Sequence, residues 1–278
     1  MTTAFVLGGG GVLGDAEVGQ ALALSEAGIT PDLICGASVG AINGAHLALD
    51  PSAEGVERLA ELWMALGDDE VFGGSLRERL TTLARTRIAL HDVAPLRALI
   101  RRTLPDRFED LAIPFNCVAA CVETASARWF ATGPLIEPVL ASCAVPALFP
   151  PVVLDGRHYV DGGLVHSIPL GRAVQLGATE VYVMQVGRIE QELAPPTTPL
   201  AVGLVAFEIA RRHRFVEELG HARAGVTVHV LPAGPAASPG PTEARKQFAY
   251  RSSGSASSDR IEAARWATET YLAEQREG

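Results

Sequence analysis

The segment TAFVLGGGGVLGDAEVGQALALSEAG, residues 3–28, contains an apolar run, a run of glycines and a helical pattern in direct succession. The segment PDLICGASVGAINGAHLAL, residues 31–49, repeats this order with a second glycine-containing turn. Each unit is typical of a strand, a tight turn and a helix. Two consecutive units of this kind predict parallel strands joined by right-handed crossovers, so the sequence indicates an α/β fold.

Strand and helix patterns continue along the rest of the chain. We predict strands at 115–121, 128–132, 180–185 and 226–231, a hairpin at 152–160 around an Asp-Gly turn, and helices at 54–66, 75–104, 171–176, 200–222 and 257–274. This order predicts a three-layer α/β fold in which helices flank a mostly parallel sheet.

The length and the loop composition suggest how the domain is organised. With 278 residues and 48% hydrophobic content, we expect a single domain over residues 1–278. Two stretches, 187–199 and 232–254, have the composition of loops. Each is interpreted either as an active-site lid or as a surface loop without a role.

The charge balance and the cysteines restrict the partners and the compartment. The formal net charge of −9 disfavours binding to nucleic acid, which is itself a polyanion. The four cysteines lack the Cys-x-x-Cys spacing of zinc sites and stand in apolar surroundings, as thiols of a reducing compartment do. The sequence has no apolar stretch of the ~18 residues that a spanning helix needs, and no leader pattern at its start. We therefore expect a soluble, cytoplasmic protein that could contact a membrane only peripherally.

Residues 36–40, Gly36-Ala37-Ser38-Val39-Gly40, match the G-x-S-x-G pattern. In that pattern small residues allow a sharp strand-to-helix turn, which exposes the serine oxygen as a nucleophile. The match follows a predicted strand and precedes a predicted helix, whose N-terminus would stabilise negative charge near Ser38. The alternative interpretation is a tight crossover turn in which Ser38 only caps the helix.

The glycine run Gly8–Gly14 also fits the G-x-G-x-x-G pattern of dinucleotide-binding turns. That function requires an acidic residue at the end of the second strand, whereas Asp32 stands at its beginning. The end of the second strand carries the serine turn instead. Because neighbouring parallel strands bring their C-terminal turns together, we expect the backbone amides of Gly8–Gly11 to face Ser38 and to stabilise an oxyanion.

A serine nucleophile needs a base, and two kinds of residue could supply it. Asp161-Gly162-Gly163 ends a predicted strand, and its glycines would let the carboxylate project into a cleft. The same tripeptide could also be an ordinary Asp-Gly turn. Among the seven histidines, His166 is the candidate because the order Ser38, Asp161, His166 is that of a hydrolase triad. From these residues alone, a direct role of Asp161 and a triad with His166 both remain open.

Four blocks in order make the sequence similar to the patatin-like phospholipase family over nearly the whole chain. They are the glycine loop Gly8–Gly14, the serine turn Gly36–Gly40, the segment ASCAVPALFP at Ala141–Pro150, which resembles the family's A-S-x-A-x-P-x-x-F-P pattern, and Val160-Asp161-Gly162-Gly163, which resembles its D-G-[GA] box. The resemblance implies the patatin-like variant of the hydrolase architecture.

The resemblance also implies a mechanism and a substrate class. It implies a catalytic dyad of Ser38 and Asp161 without histidine, and an acyl-Ser38 intermediate that water hydrolyses. It implies an oxyanion hole lined by Gly9, Gly10 and Gly11, and it implies neither a metal nor a cofactor. The expected substrate is a lipid or another carboxylic ester with an apolar acyl chain. The alternatives are an acyltransferase that uses the same acyl-serine and a non-catalytic acyl-binding module.

Two positions depart from the family pattern. The glycine loop of the family usually reads G-G-G-x-R-G, and here Leu13 stands where the arginine would be. The loss of that cation weakens the case for an anionic head group and could loosen the loop. After the aspartate box, Ser167 stands where the family often has asparagine. We expect both departures to affect substrate and rate more than the dyad.

Overall fold

A computed structural model describes residues 1–66, 81–82, 88–186, 192–220, 225–234 and 254–277. The strands in this part of the chain are β1 (Thr3–Leu7), β2 (Leu33–Ala37), β3 (Phe115–Cys121), β4 (Ser126–Phe130), β5 (Val152–Leu154), β6 (Arg157–Asp161), β7 (Glu180–Met184) and β8 (Thr227–Val230). The helices are α1 (Asp15–Glu26), α2 (Val39–Leu49), α3 (Ala53–Ala65), α4 (Ala94–Thr103), α5 (Ile136–Ser142), α6 (Leu170–Gln175), α7 (Pro199–Gly220) and α8 (Gly254–Glu277). Short 3₁₀ turns lie at Gly11–Gly14, Phe108–Asp110 and Gly162–Leu164.

The described strands form one sheet in the order β5-β6-β3-β2-β1-β7-β8, and β4 pairs with β3. The strands from β3 across to β8 pair in parallel, as the two strand-turn-helix units predict. The strands β4, β5 and β6 add an antiparallel part at the β3 side. The prediction of a mostly parallel α/β sheet is confirmed.

Helices cover both faces of the sheet, which makes the fold three-layered. Along β1, the side chains of Phe5 and Leu7 join an apolar cluster with α1, α2 and α3. The alternate side chains of Ala4 and Val6 join a second cluster with α6 and with Phe215 of α7. Successive side chains of a strand point to opposite faces, so both faces of this strand are buried against helices.

The strand β3 brings the ends of β2 and β6 together. β4 pairs with residues 117–121 along one edge of β3. β2 pairs with residues 115–118 and β6 with residues 119–121, so β2 and β6 must share the other edge, end to end. In this register Ala37 lies opposite Val118, and Asp161 lies opposite Ala119. Because Ser38 follows Ala37, the backbone of the sheet places Ser38 beside Asp161.

The predicted helix over 75–104 is wrong at residues 88–93. These residues form no helix, and Ala89 pairs with Ala147 as an isolated bridge. α4 begins only at Ala94, where the Asp92 side chain accepts a hydrogen bond from the Ala94 N–H at 2.9 Å and Pro95 occupies the first turn. Proline favours the start of a helix because its missing N–H has no partner there. Residues 75–80 and 83–87 of this prediction lie outside the described residues.

The hairpin predicted around Asp155-Gly156 is confirmed, since β5 and β6 pair antiparallel across it. Both turn residues have positive φ, 50° at Asp155 and 74° at Gly156, which is typical of a type I′ turn. Of the two predicted loops, residues 187–191 and 235–253 lie outside the described residues. Residues 192–198 form neither helix nor strand, and α7 begins at Pro199. None of the described helices has the length and apolarity required to cross a bilayer.

Candidate active site

Ser38 lies in a strained turn between β2 and α2. Its backbone has φ 55° and ψ −129°, a combination that residues with a side chain rarely adopt. A Cβ on Gly36 would lie 2.2 Å from the carbonyl oxygen of Gly40, and a Cβ on Gly40 would lie 2.5 Å from that of Leu7. Only glycine fits at Gly36 and at Gly40, because backbone atoms occupy the space that a side chain would need. The turn therefore holds Ser38 at the carboxyl end of β2.

Asp161 ends β6 and faces Ser38 directly. Ser38 is 6% exposed and Asp161 is fully buried. The Oγ of Ser38 donates a hydrogen bond of 2.7 Å to Oδ2 of Asp161. The N–H of Gly163 donates to the other carboxylate oxygen, Oδ1, also at 2.7 Å. Both oxygens of Asp161 are thereby held by donors, which fixes the orientation of the carboxylate toward Ser38.

Burial raises the pKa of Asp161 to about 6. Removal of water from the carboxylate is the main cause, since it disfavours the charged form. The hydrogen bonds from Ser38 and Gly163 and the positive charge of Arg211 act in the opposite direction and favour the ionised form. A carboxylate with a pKa near 6 is a stronger base than an ordinary aspartate and remains ionised at neutral pH.

Three consecutive residues at the end of α5 hold both members of this pair. The Oγ of Ser142 accepts a hydrogen bond from the N–H of Ser38 at 2.9 Å. The Sγ of Cys143 donates to the carbonyl oxygen of Ser38 at 3.0 Å, and the carbonyl of Ala144 accepts from the N–H of Asp161 at 2.9 Å. Since the N–H of Ser38 is occupied, an oxyanion at this site would need donors from elsewhere.

The glycine loop lies against Ser38, but its three predicted glycines differ. A Cβ on Gly9 would lie 3.1 Å from the Cβ of Ser38, so the loop backbone is in close contact with the serine. The N–H of Gly9 already donates to the carbonyl oxygen of Ser167 at 2.9 Å. The N–H of Gly8 likewise donates to the carbonyl oxygen of Met184, at 3.1 Å. Among the described residues, no group accepts a hydrogen bond from the N–H of Gly10 or Gly11. The oxyanion role of the glycines stays a prediction, for which the amides of Gly10 and Gly11 are the candidates.

Arg211 of α7 contacts the glycine loop, although the two are far apart in the chain. It is 5% exposed, and its Nη1 donates a hydrogen bond to the carbonyl oxygen of Gly9. Its Nε donates to Oε2 of Glu208 at 3.1 Å, one helical turn earlier. Leu13, where the family pattern has arginine, is buried and uncharged. In the part of the chain that the structure describes, the cation bound to this loop is Arg211 of α7.

Two buried polar side chains hold the far end of the glycine loop. Asn43 of α2 donates from Nδ2 to the carbonyl oxygen of Gly14 at 2.9 Å and to Oε2 of Glu17 at 2.8 Å. Burial raises the pKa of Glu17 well above its ordinary value, and the hydrogen bond from Asn43 only partly opposes this. Burial therefore favours the neutral form of Glu17 beside the loop.

His166 has a different partner from the one that a triad requires. Its Nδ1 lies 2.6 Å from Oε1 of Glu218, and its ring centroid lies 5.1 Å from that of Trp129. Within the described residues, no hydrogen bond joins His166 to Ser38 or Asp161. The structure thus joins Ser38 directly to Asp161, whereas His166 contacts Glu218 of α7.

Ser142 and Arg211 are the contacts that sequence reasoning missed. Ser142 lies inside the segment quoted for the family resemblance, but a serine at the end of a helix carries no local signal for binding a backbone amide. Arg211 belongs to a run of arginines and histidine on a helix, and such a run is usually a solvated face. Only the packing of α7 on the glycine loop distinguishes it from its neighbours.

Comparisons with known proteins agree with the fold and the motifs. A family model described as patatin-like phospholipase matches residues 5–174. The patatin-like phospholipase domain-containing protein ZK370.4 of Caenorhabditis elegans is 34% identical over 191 residues, which are 67% of this chain and 14% of that protein. The lysophospholipase nte1 of Aspergillus terreus is 30% identical over 189 residues, which are 66% of this chain and 12% of that protein.

A solved structure supports the fold alone. The crystal structure of VipD from Legionella pneumophila superposes with a TM-score of 0.52 over 98% of this chain and 67% of that one, at 14% identity. The matched part of the chain spans about 14% of the length of the Caenorhabditis elegans relative. The family match contains Ser38 and Asp161 and covers more than half of the chain. On this evidence, the chain belongs to the patatin-like phospholipase family.

Proposed function

We propose that this chain is a serine acyl hydrolase that cleaves carboxylic esters of lipids, with Ser38 as nucleophile and Asp161 as base. The observation that carries the proposal is the 2.7 Å hydrogen bond from Oγ of Ser38 to Oδ2 of a buried Asp161. A serine alcohol is a weak nucleophile unless an adjacent base takes its proton. A fully buried carboxylate at this distance is suited to that role.

In the proposed acylation, Oγ of Ser38 attacks the ester carbonyl carbon while its proton passes to Oδ2 of Asp161. The π electrons of the carbonyl move to its oxygen, and the N–H groups of Gly10 and Gly11 stabilise the resulting negative charge. Loss of one such donor typically costs about 3 kcal/mol of transition-state stabilisation. Collapse of the intermediate expels the alcohol, which takes the proton from Asp161, and leaves an acyl-Ser38 ester.

Deacylation repeats these steps with water as the nucleophile. Asp161 accepts a proton from the attacking water, and the same two amides stabilise the second tetrahedral intermediate. Collapse breaks the ester bond to Ser38, whose oxygen regains the proton from Asp161, and releases the carboxylic acid. The cycle needs neither a metal nor a cofactor, because the base and the oxyanion donors are all protein groups.

For the substrate we propose phospholipids and lysophospholipids. Support comes from the family and from the name of the Aspergillus relative, a lysophospholipase. Because the guanidinium of Arg211 is engaged by Glu208 and Gly9, we do not assign it to a phosphate head group. The acyl ester is therefore the part of the lipid for which the site has matching groups.

We further propose that the protein works in the cytoplasm and meets its lipid at a membrane surface. On α7, Val202, Ile209 and Val216 are exposed and stand seven residues apart, so they share one face of the helix. The four cysteines are unpaired and buried, as expected in a reducing compartment. Flotation with neutral phosphatidylcholine vesicles tests the membrane contact. The triple variant Val202→Ser, Ile209→Ser and Val216→Ser should be recovered with the vesicles in smaller amount than the wild type. Equal recovery of both proteins would argue against this surface.

A fluorophosphonate probe tests the proposed chemistry. Such probes phosphonylate activated serines, so the folded wild type should be labelled at Ser38 and Ser38→Ala should not. Ser126→Ala, an exposed serine on β4, is the matched control and should be labelled like the wild type. Folded wild type that takes up no label and hydrolyses no ester would overturn the proposal. If a competing alcohol captures most of the acyl group from a phospholipid, the acyltransferase alternative replaces hydrolysis.

A further inference from the structure

We propose that Arg211 is a positioning residue that fixes the Gly9–Gly10 peptide so that the Gly10 N–H faces the oxyanion of the reaction. This inference rests on the proposed acyl hydrolase function and deepens it. Arg211 lies outside residues 5–174, the range matched by the family model. It stands 202 residues from Gly9 in the chain, so only the tertiary structure joins them.

The Gly9–Gly10 unit is a trans peptide. Its C=O and N–H point in opposite directions because the unit is planar. Arg211 binds the carbonyl oxygen of Gly9, which belongs to the same peptide as the N–H of Gly10. A donor that holds this oxygen on the α7 side therefore directs the Gly10 N–H away from α7. If the peptide turned over, a carbonyl oxygen would replace the N–H and would repel an oxyanion.

This peptide needs an external contact to hold it. Glycine lies on both of its sides, and glycine reaches conformations that other residues avoid, so rotation of the peptide meets little steric resistance. The N–H of Gly9 is tied to Ser167 at 2.9 Å. Among the described residues, the Arg211 side chain is what binds the carbonyl oxygen of Gly9. The two contacts together hold Gly9 from both ends.

Arg211 is itself held in place by Glu208. Its Nε and Nη2 donate to the two carboxylate oxygens of Glu208 at 3.1 and 3.3 Å. Burial alone would raise the pKa of Glu208, but the ion pairs with Arg211 and Arg212 outweigh this and hold it below its ordinary value. Because the guanidinium is planar and two of its nitrogens bind the Glu208 carboxylate, the direction of the third nitrogen, Nη1, is fixed.

The position of Arg211 also links the two halves of the site. A Cβ on Gly9 would lie 3.4 Å from Nη1 of Arg211 and 3.1 Å from Cβ of Ser38. A Cβ on Gly163, two residues after Asp161, would lie 3.6 Å from Cδ of Arg211. The positive charge of Arg211 favours the ionised form of Asp161. Arg211 thus contacts the oxyanion loop and also acts electrostatically on the base.

The test compares Arg211→Gln and Arg211→Lys with the wild type, and uses Arg212→Gln as the matched control. Arg212 is the next residue of α7 and also binds Glu208, at 2.9 Å. On a short-chain nitrophenyl ester, kcat of Arg211→Gln should fall about a hundredfold, the usual effect of a small misplacement in an active site, while KM changes less than about threefold. Arg212→Gln should keep wild-type kcat.

A second measurement separates positioning from a general loss of structure. An alkyl trifluoromethyl ketone reacts with the serine Oγ to form a hemiketal oxyanion, and the serine proton passes to the base. Its affinity should fall in parallel with kcat/KM in Arg211→Gln, because the adduct needs the same donors. The acid limb of kcat/KM should move to higher pH in Arg211→Gln and stay in place in Arg211→Lys, which keeps the charge.

The groups that face Asp161 define this pH readout. Among the described residues they are Arg211 of α7 and the Cys143 thiol after α5. Burial raises the pKa of Cys143 well above its ordinary value, so this thiol stays neutral across the measured range. A shift of the acid limb in Arg211→Gln therefore reports the loss of the arginine charge.

The outcomes are distinct. Arg211→Gln with wild-type kcat and ketone affinity overturns the role of Arg211, and so does an equal loss in Arg212→Gln. If Arg211→Gln does not melt cooperatively, Arg211→Lys carries the test, since it keeps the ion pair with Glu208 but not the planar fork. Wild-type activity in Ser38→Ala would instead overturn the proposed function, and this result does not depend on Arg211.

Discussion

Ala37 and Asp161 pair with adjacent residues of β3, Val118 and Ala119, although the two strands that carry them run in opposite directions. The separation between Ser38 and the carboxylate is therefore set by strand register and not by the reach of a long side chain. A one-residue slip of β6 would turn Asp161 to the opposite face of the sheet. The antiparallel addition to a parallel sheet thus has a direct role in assembling the site.

Asp161→Asn should reduce kcat at least about a hundredfold, because an amide cannot take the proton of Ser38. The amide oxygen can still accept from the Gly163 N–H, so the fold should be kept. Hydrolysis of a soluble ester at pH 8 measures the effect. Asp155→Asn, in the exposed hairpin turn, is the matched control and should behave as wild type. Near-wild-type activity of Asp161→Asn would return the role of base to His166.

The same substitution should stabilise the fold at neutral pH. The pKa of Asp161 is about 6 in the folded protein and near ~3.9 when unfolded, so the folded state binds this proton more tightly. The free energy of unfolding therefore falls as pH rises from about 4 to 6. Above pH 6 the protein remains less stable by an amount on the order of 3 kcal/mol. Thermal melts should show a higher Tm for Asp161→Asn at pH 8 and no such gain at pH 4. An equal Tm difference at both pH values would contradict the assignment.

The activity should fall in acid as Asp161 becomes protonated. Since a protonated carboxyl cannot act as base, kcat/KM should decrease below a pH of about 6, the pKa of the free enzyme's base. A pH profile on a non-ionising ester, with folding checked at each pH, measures this limb. A limb centred near pH 4 would mean that Asp161 is as solvated as an ordinary aspartate.

The strain at Ser38 should appear as a stability difference between two inactive variants. Ser38→Ala keeps a Cβ at φ 55° and ψ −129°, whereas Ser38→Gly relieves the strain. We expect Ser38→Gly to be more stable than Ser38→Ala by about 1 kcal/mol, after allowing for the greater entropy of glycine in the unfolded chain. Urea unfolding measures both. Equal midpoints would show that the turn is not strained.

Ser142→Ala should weaken both the fold and the reaction. It removes the acceptor for the buried N–H of Ser38, and an unpaired buried donor costs about 1–3 kcal/mol. A shift of the serine turn should also lower kcat about tenfold with little change in KM. Ser126→Ala on exposed β4 serves for comparison and should stay within about 0.5 kcal/mol of wild type. A Ser142→Ala protein with wild-type stability would mean that water replaces the hydroxyl.

The local features of the site could be predicted from the sequence because they depend on neighbouring residues. The glycines around Ser38 are needed by the turn itself, and the positive φ values of Asp155 and Gly156 are set by the hairpin. The alternation of strands and helices follows from side-chain patterns of short range. The predicted helix over 75–104 is wrong at 88–93, where Ala89 forms a bridge with Ala147, a residue far away in the chain.

By itself, the sequence determined the α/β class, the serine turn, the glycine loop and the aspartate box, since each can be recognised from residues close together in the chain. Only the tertiary structure decided that Ser38 meets Asp161 across 123 residues, that Ser167 occupies the amide of Gly9, and that His166 binds Glu218. It also decided that Arg211 of α7 contacts the glycine loop. The physical reason is that strand register and helix packing select these partners, and both depend on burying residues distant in the chain.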